Sequence, residues 1–144
     1  LEMRRALLSE LAGAEYVIMS AAVSDWRPKK AARRKIKRSS GKIAVEFIEN
    51  PDILKEICAR KAGRVVVGFA LETEDLEKNA LKKLLDKNVD IIVANALNRC
   101  SPAFGDNNTD IVVIDKFGNK VAACNRPKRE LSKIILDKVF GFNI

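Results

Sequence analysis

A chain of 144 residues can bury one hydrophobic core and is too short for two typical domains. Apolar residues make up 47% of it, and no apolar run approaches the roughly 18 to 20 residues that cross a bilayer, which excludes a membrane-spanning protein. The net charge of +8 comes from residues 27–42, which hold nine basic residues and no acid, while the rest has 18 basic and 19 acidic residues. Histidine is absent, which excludes Ser-His and Cys-His catalytic pairs and histidine zinc sites within this chain.

The first half of the chain predicts a helix, a strand, a long loop and a second strand. Apolar residues at helical spacing predict a helix over residues 1–12, and a mostly apolar run predicts a strand over residues 15–21. Residues 20–40 show no sustained period and predict a loop, whereas residues 42–49 alternate apolar and polar side chains and predict a strand.

A second helix should begin at the sequence Asn50-Pro51-Asp52. Asn50 can accept a hydrogen bond from a free amide, Pro51 lacks the amide that would need a partner, and Asp52 suits the positive end of the helix dipole. The helix is expected to run to about Lys61, with Cys58 on its buried face.

The middle of the chain alternates buried-type strands with a helix. Residues 64–70 and 90–94 are short β-branched runs, apolar on both faces, as parallel strands covered by helices tend to be. Between them, Thr73 is predicted to cap a helix that runs to about Asn88 with one apolar stripe.

The last third predicts a loop, a hairpin and a final helix. Residues 95–109 are polar and predict a loop, after which residues 110–115 and 120–124 predict the two strands of a hairpin. Pro127 is expected to open the last helix. The element order therefore predicts a single α/β domain over residues 1–144, a Rossmann-like three-layer domain with a mainly parallel sheet and an antiparallel hairpin margin.

The three cysteines and the start of the chain indicate a cytoplasmic fragment. Cys58, Cys100 and Cys124 form no C-x-x-C motif and cannot all pair, which favours a reducing cytosol. Cys58 and Cys124 lie in apolar patterns that predict buried thiols. No export signal opens the chain, whose helical pattern begins almost at Leu1, so we expect a domain whose N-terminal part is missing.

Ligands of open α/β sheets bind beyond the carboxyl ends of the strands, and here polar or charged stretches follow residues 21, 49, 70 and 94. No G-x-G-x-x-G or G-x-x-x-x-G-K-[ST] motif is present. The basic residues 27–42, called the basic segment below, leave three interpretations open. They form a solvated loop, a nucleic-acid patch with Trp26 as its nearby aromatic residue, or a flap that covers a polyphosphate.

Five further side chains are candidates for ligand contact. Lys83 and Lys87 share one helix face and lack an i,i+4 acid, so an anion bridging them would explain the pair, although a solvated face is the simpler interpretation. Asp25 either forms a turn or holds a ribose hydroxyl or a magnesium-bound water. Phe69 is a core residue or borders a base site, and Asn95 ends a strand or turns its amide to a ligand.

Taken together, these stretches resemble the phosphopantothenoylcysteine synthetase family, the phosphopantothenate-cysteine ligases of coenzyme A biosynthesis. The resemblance covers nearly the whole chain, in the family's order and spacing. Besides the helix with Lys83 and Lys87, the matching stretches are AAVSDWRP (21–28), KIKR (35–38), ENPDIL (49–54), VGFALET (67–73), DIIVAN (90–95), FGDNNTDIVVI (104–114) and RELSKIILD (129–137).

The resemblance implies a CTP-dependent acid-amino-acid ligase. Such an enzyme activates the carboxylate of 4′-phosphopantothenate as an acyl-cytidylate with loss of pyrophosphate, and L-cysteine then displaces CMP. The resemblance also implies Mg²⁺, a homodimer, a cytoplasmic location, no nucleic-acid or membrane partner, and FMN only in a fused N-terminal decarboxylase half. It assigns catalysis to Lys35 and names no metal ligand. The implied nucleotide contacts are Met19, Ser20, Ala21, Asp25, Lys35, Pro51, Asp52, Ile53, Leu54, Phe69, Lys83 and Lys87.

The chain departs from the family pattern in three places. The family has a preceding segment with a glycine-rich loop and an Asn that helps process the acyl-cytidylate, and this sequence starts after it. We therefore expect this chain alone to lack part of the phosphopantothenate site and to be inactive. Trp26 stands where Tyr is commoner, and Arg38 where Lys is commoner. A non-catalytic nucleotide- or nucleic-acid-binding module, and a dimerisation domain built on residues 95–124, remain the alternatives.

Overall fold

A computed structural model describes residues 1–32, 34–36, 42–96 and 108–142. The predicted loop over residues 95–109 lies largely outside these ranges, as do Cys100 and Arg38. The elements are helices α1 (Glu2–Glu10), α2 (Ile53–Cys58), α3 (Leu76–Lys87) and α4 (Lys128–Phe140), a 3₁₀ turn (Leu11–Gly13), and strands β1 (Tyr16–Met19), β2 (Trp26–Pro28), β3 (Phe47–Glu49), β4 (Val65–Glu72), β5 (Ile91–Ala96), β6 (Thr109–Asp115) and β7 (Lys120–Arg126).

Five of the strands form one mixed sheet in the order β1-β4-β5-β6-β7. β1 pairs parallel to β4 and β4 pairs parallel to β5, while the β5–β6 and β6–β7 pairs are antiparallel. Four of the five strands therefore run in one direction, with β6 reversed. This arrangement confirms the predicted α/β Rossmann-like fold with a mainly parallel sheet and a hairpin at its margin.

Two hydrophobic cores lie on opposite faces of this sheet, which makes the domain three-layered. On one face, Val66 and Ile92 pack with residues of α2 and α3, among them Ile57 and Leu84. On the other face, the alternate strand residues, such as Val67, pack with apolar residues of α4. Because β4 and β5 are covered on both faces, their sequences are apolar at nearly every position.

The amino ends of the parallel strands are closed by buried polar contacts. The Arg64 guanidinium donates to the carbonyl oxygens of Leu11, Ala14, Arg60 and Lys61 at 2.8 to 3.0 Å. Asp90, 3% exposed, accepts from the Val66 amide at 2.9 Å and from the ammonium groups of Lys61 and Lys116 at 3.0 Å each. Burial alone would raise the pKa of the Asp90 carboxyl, but these three hydrogen bonds lower it.

Asp115 closes the same edge from β6, opposite Ile91 in the register. Its carboxylate accepts from the amides of Phe117 and Asn119 at 3.0 and 2.9 Å and lies 2.7 Å from Lys138 Nζ. Burial would raise the pKa of Asp115, but the hydrogen bonds from Lys138 and Asn119 lower it. Both aspartates of this edge therefore stay ionised because their charges are matched by internal donors.

The structure corrects the predicted beginnings of two helices. α2 is capped by Asp52, whose side chain accepts from the Lys55 amide at 3.0 Å, so the prediction that Asn50 caps this helix is wrong. α3 begins after Asp75, which adopts a left-handed conformation, so the prediction that Thr73 caps it is also wrong. In both cases the chain offered several capping residues close together, and local propensity alone could not choose among them.

Three other predictions also need correction. Within the predicted loop, residues 26–28 form β2, which pairs with β3 in a separate two-stranded antiparallel ribbon. Of the predicted strand over residues 42–49, only Phe47–Glu49 forms a strand, β3. Cys124 is exposed on the outer strand β7, whereas Cys58 is buried as predicted, with the pKa of its thiol raised to about 11 by burial.

Within the described ranges, no helix is long and apolar enough to cross a bilayer.

Candidate functional site

A cleft of about 460 Å³ opens at the carboxyl ends of β1, β4 and β5. It is formed where the chain leaves β1, where the ribbon of β2 and β3 meets α2, and where α3 passes over the ends of β4 and β5. All of the sequence stretches predicted to follow strand ends contribute to it. Its lining residues are Met19, Ser20, Ala21, Ala22, Val23, Ser24, Asp25, Asn50, Pro51, Asp52, Ile53, Leu54, Phe69, Ala70, Leu71, Lys83, Lys87, Ile92 and Asn95.

Asn50 holds the ribbon of β2 and β3 at the rim of the cleft through hydrogen bonds. Its side-chain amide donates to the Ser24 carbonyl at 2.7 Å, and its backbone amide donates to the Asp25 carbonyl at 2.7 Å. Arg27 donates to the Asn50 side-chain oxygen and to the Glu49 carbonyl, both at 2.8 Å. The segment after β1 is thereby held beside the start of α2, and the carboxylate of Asp25 lies on the cleft wall.

The floor of the cleft depends on a close approach between α2 and β4. A β-carbon built on Gly68 would lie 2.9 Å from Leu54 Cδ2 and 3.3 Å from Ile92 Cδ1, closer than carbon atoms normally pack. Glycine at this position therefore lets Leu54 rest directly on the strand. The first turn of α2 is thereby brought beside the strand ends that line the cleft.

Each of the two cleft lysines of α3 contacts a carboxylate from another element. Lys83 Nζ lies 2.7 Å from Glu72 Oε1, at the end of β4. Lys87 donates a short hydrogen bond to Asp52 Oδ2, at the cap of α2. Partial burial would raise the pKa of Asp52, but the hydrogen bonds from Lys87 and from the Lys55 amide lower it. Neither lysine has an acid four residues away on its own helix, but both have one from another element in space.

The structure gathers eleven of the twelve predicted nucleotide contacts in this one cleft. Lys35 is the exception, because it lies exposed in the basic segment and does not line the cleft. Asp25 is exposed, Phe69 is half-buried, and Ile53 is buried. That these residues bind a nucleotide stays a prediction, since the structure shows where they lie and not what they bind.

Sequence reasoning missed three polar contributors to this site. Ser24 and Asn50 stand within the quoted stretches AAVSDWRP and ENPDIL but were not assigned to the site. Glu72, in VGFALET, was missed as a partner of Lys83 because the two residues share no helix or strand. Asn95, whose role was left open, does line the cleft.

The basic segment is partly engaged in the ribbon. Arg27 joins Asn50 as described, and Lys29 pairs with Glu46 at 2.6 Å while its amide donates to the Glu46 carbonyl. Within the part of the chain that the structure describes, no three side chains of His, Cys, Asp or Glu converge as metal ligands. A divalent cation in the cleft would therefore rely on few protein carboxylates, of which Asp25 is one.

The fold and the cleft place this chain among open-sheet α/β domains, a class whose ligands bind beyond the carboxyl ends of parallel strands. Residues 1–142 match the family model described as the DNA/pantothenate metabolism flavoprotein C-terminal domain. The chain belongs to this family.

Its relatives include enzymes named for coenzyme A biosynthesis. The chain is 37% identical over 138 residues to the coenzyme A biosynthesis bifunctional protein CoaBC of Bacillus subtilis, covering 96% of this chain and 34% of that protein. It is also similar to the crystal structure of the C-terminal domain of CoaBC, with a TM-score of 0.75, 29% identity, and coverage of 96% of this chain and 59% of that one. The chain thus spans about a third of the length of the curated relative it matches.

A third similarity supports the fold. A Cab2 mutant solved in complex with phosphopantothenate-cysteine has a TM-score of 0.64 and 19% identity, over 94% of this chain and 48% of that one. At this identity the likeness bears on architecture alone.

Proposed function

We propose that this chain is the nucleotide-binding part of a ligase that joins 4′-phosphopantothenate and L-cysteine in coenzyme A biosynthesis. The observation that carries the proposal is the convergence of eleven predicted nucleotide contacts on one cleft at the carboxyl edge of the sheet. Membership of the family and similarity to proteins named CoaBC support the pathway.

The reaction proposed has two steps. A carboxylate oxygen of 4′-phosphopantothenate attacks the α-phosphorus of CTP, and the bond from that phosphorus to the bridging oxygen of pyrophosphate breaks. The amine of L-cysteine then attacks the acyl carbon of the acyl-cytidylate, loses a proton, and releases CMP. Transfer of this kind needs little covalent help from the protein, so positioned cations and amides supply most of the stabilisation.

The cleft residues fit the binding of a triphosphate. Among the described residues, the lysines that line it are Lys83 and Lys87, whose ammonium groups are donors suited to anionic oxygens. Phe69 and Leu71 supply apolar surface on the wall for a base. Mg²⁺, which is bound mainly through substrate phosphates and one or two carboxylates, would neutralise triphosphate charge, and Asp25 is a suitable carboxylate for it.

Lys35 is proposed to reach the reacting phosphate when the nucleotide is bound. It lies six residues beyond Lys29, whose amide is bonded to the ribbon, and six residues can span up to about 20 Å when extended. An ammonium group there would neutralise charge at the α-phosphate and help to exclude water from the mixed anhydride.

The test of the nucleotide site is calorimetric titration of the full-length protein with CTP and with ATP. We expect CTP to bind and the Lys83→Ala/Lys87→Ala variant to bind it about 100-fold more weakly, because each ammonium–phosphate hydrogen bond contributes roughly 1.5 to 3 kcal/mol, offset by the contacts to carboxylates it replaces. Lys82→Ala is the matched control, since Lys82 is on the same helix, exposed, and outside the cleft. Unchanged CTP binding in the double variant would refute the triphosphate assignment.

The test of Lys35 is steady-state kinetics of the full-length enzyme. Lys35→Gln should lower the rate on the order of 100-fold, the scale for loss of one donor to a transition state, with a smaller change in nucleotide affinity. Lys30→Gln, an exposed neighbour in the same basic segment, should remain close to the wild type. Normal turnover of Lys35→Gln would remove this residue from the mechanism.

The longer protein is proposed to be a cytoplasmic homodimer with an FMN-binding decarboxylase half preceding this domain. The name of the bifunctional relatives supports a second functional half in the longer protein. Sedimentation of the full-length protein tests whether it is a homodimer. The alternative of a nucleic-acid-binding module predicts binding that weakens steeply with salt and does not distinguish CTP from ATP. The internal contacts of Arg27 and Lys29 favour the ligase.

A further inference from the structure

Among the residues that the structure describes, the lining of the cleft proposed to bind a triphosphate carries no excess of positive charge. This lining contains two lysines, Lys83 and Lys87, and two aspartates, Asp25 and Asp52. Glu72 adds a further negative charge against Lys83. A polyanion that enters therefore meets two positive and three negative side chains among the described residues, although the chain as a whole carries +8.

The two lysines are already occupied by carboxylates that are built into other elements. Asp52 is held by its capping hydrogen bond to the Lys55 amide, and Glu72 by its place on β4, where its side chain is 12% exposed. Neither carboxylate can move far when a ligand binds. A phosphate that displaces it from Lys83 or Lys87 therefore stays close to a negative charge.

The electrostatic consequence is substantial. A carboxylate roughly 5 Å from a phosphate oxygen weakens binding about fourfold even at the dielectric constant of water, and more in a partly enclosed cleft. Every polyphosphate meets this repulsion. A ligand that offers only charge has little with which to offset it, whereas a nucleoside adds contacts of its base and ribose with the cleft walls.

We propose that Asp52 and Glu72 are counter-ions that keep Lys83 and Lys87 paired and thereby prevent polyphosphates that lack a nucleoside from binding the cleft tightly. The class of excluded ligand is inorganic pyrophosphate and longer polyphosphates, which share the charged part of a nucleoside triphosphate. This inference rests on the proposed function, because it assigns the two lysines to a triphosphate.

The variant that isolates the charge is Asp52→Asn. Asparagine caps a helix about as well as aspartate, so the hydrogen bond to Lys55 can persist while the negative charge is removed. Glu77→Gln is the matched control, since Glu77 lies on the same helix as the two lysines and pairs with Lys120 at 2.8 Å, outside the cleft. It changes the net charge equally. Glu72→Gln tests the second counter-ion.

The experiment is calorimetric titration of the full-length protein with inorganic tripolyphosphate in EDTA buffer, after thermal melts have confirmed folding. Asp52→Asn is expected to bind tripolyphosphate at least about fourfold more tightly than the wild type, with Glu72→Gln shifted the same way and Glu77→Gln unchanged. Unchanged or weaker binding by Asp52→Asn, or an equal gain in Glu77→Gln, would overturn the inference. A wild type that binds no nucleoside triphosphate overturns the proposed function instead, while the tripolyphosphate comparison still decides whether these carboxylates repel polyanions.

Discussion

Replacing Asp90 by alanine should destabilise the domain more than any exposed ion pair could. The substitution leaves the amide of Val66, a fully buried residue, without its acceptor, which costs about 1 to 3 kcal/mol. Lys61, whose side chain is 20% exposed, loses its partner at a cost of about 1 kcal/mol, and Lys116, at 36%, loses less because solvent screens it. The total is roughly 2 to 5 kcal/mol, or a fall in Tm of roughly 5 to 15 °C for a domain of this size.

The assay is thermal unfolding followed by circular dichroism, with Glu46→Ala as the control. Glu46 also pairs with a lysine, at 2.6 Å, but the two side chains are 67% and 49% exposed, so we expect a change below about 0.5 kcal/mol. If Asp90→Ala does not fold, Asp90→Asn remains informative, because asparagine can still accept from Val66. A Tm for Asp90→Ala within about 2 °C of that of Glu46→Ala would refute the reasoning.

Three further predictions concern packing, pH and thiol reactivity. Gly68→Val should lower the free energy of unfolding, measured by urea denaturation, by about 2 to 3 kcal/mol. Combined with Leu54→Ala, it should lower that free energy by at least about 1 kcal/mol less than the sum of the two single changes. Strict additivity would contradict the close approach of Leu54 to Gly68. The pKa of Asp115 is lowered in the folded state, so this carboxylate stabilises the fold fully above its unfolded pKa, and the stabilisation is lost as pH falls through the lower folded pKa. Asp115→Asn should therefore make the free energy of unfolding depend less on pH in the acid range. An unchanged pH dependence would count against this role of Asp115. A thiol reagent should modify Cys124 in the native protein and Cys58 only after denaturation, as peptide mass spectrometry can show; early modification of Cys58 would contradict its burial.

The sheet could be predicted from the sequence because its signals are local. The runs at residues 64–70 and 90–94 are apolar on both faces, which distinguishes strands covered on both sides from those with a wet face. The hairpin of β6 and β7 follows from two extended runs separated by a turn with Gly118, which has φ +86°. The order of elements then limits the topology to few choices.

The ribbon and the ion pairs could not be predicted in the same way. β2 has only three residues, one of them Pro28, and its pairing with β3 joins residues about twenty positions apart. Lys87 and Asp52 are separated by 35 positions, and no period along the sequence connects them. The resemblance to a family predicted many of the residues that line the cleft, whereas the pairing of its two lysines with Asp52 and Glu72 became visible only in three dimensions.

The two edges of the sheet should differ in how well folding tolerates substitutions. At the edge of Arg64, Asp90 and Asp115, polar groups are saturated by neighbours within the protein, so substitutions there should register as loss of folded material. At the opposite edge, much of the lining is solvent-facing. To make this domain bind a different small molecule, one could substitute the exposed residues that line the cleft and keep Arg64, Asp90 and Asp115. The yield of folded protein would distinguish substitutions that change binding from those that disrupt folding.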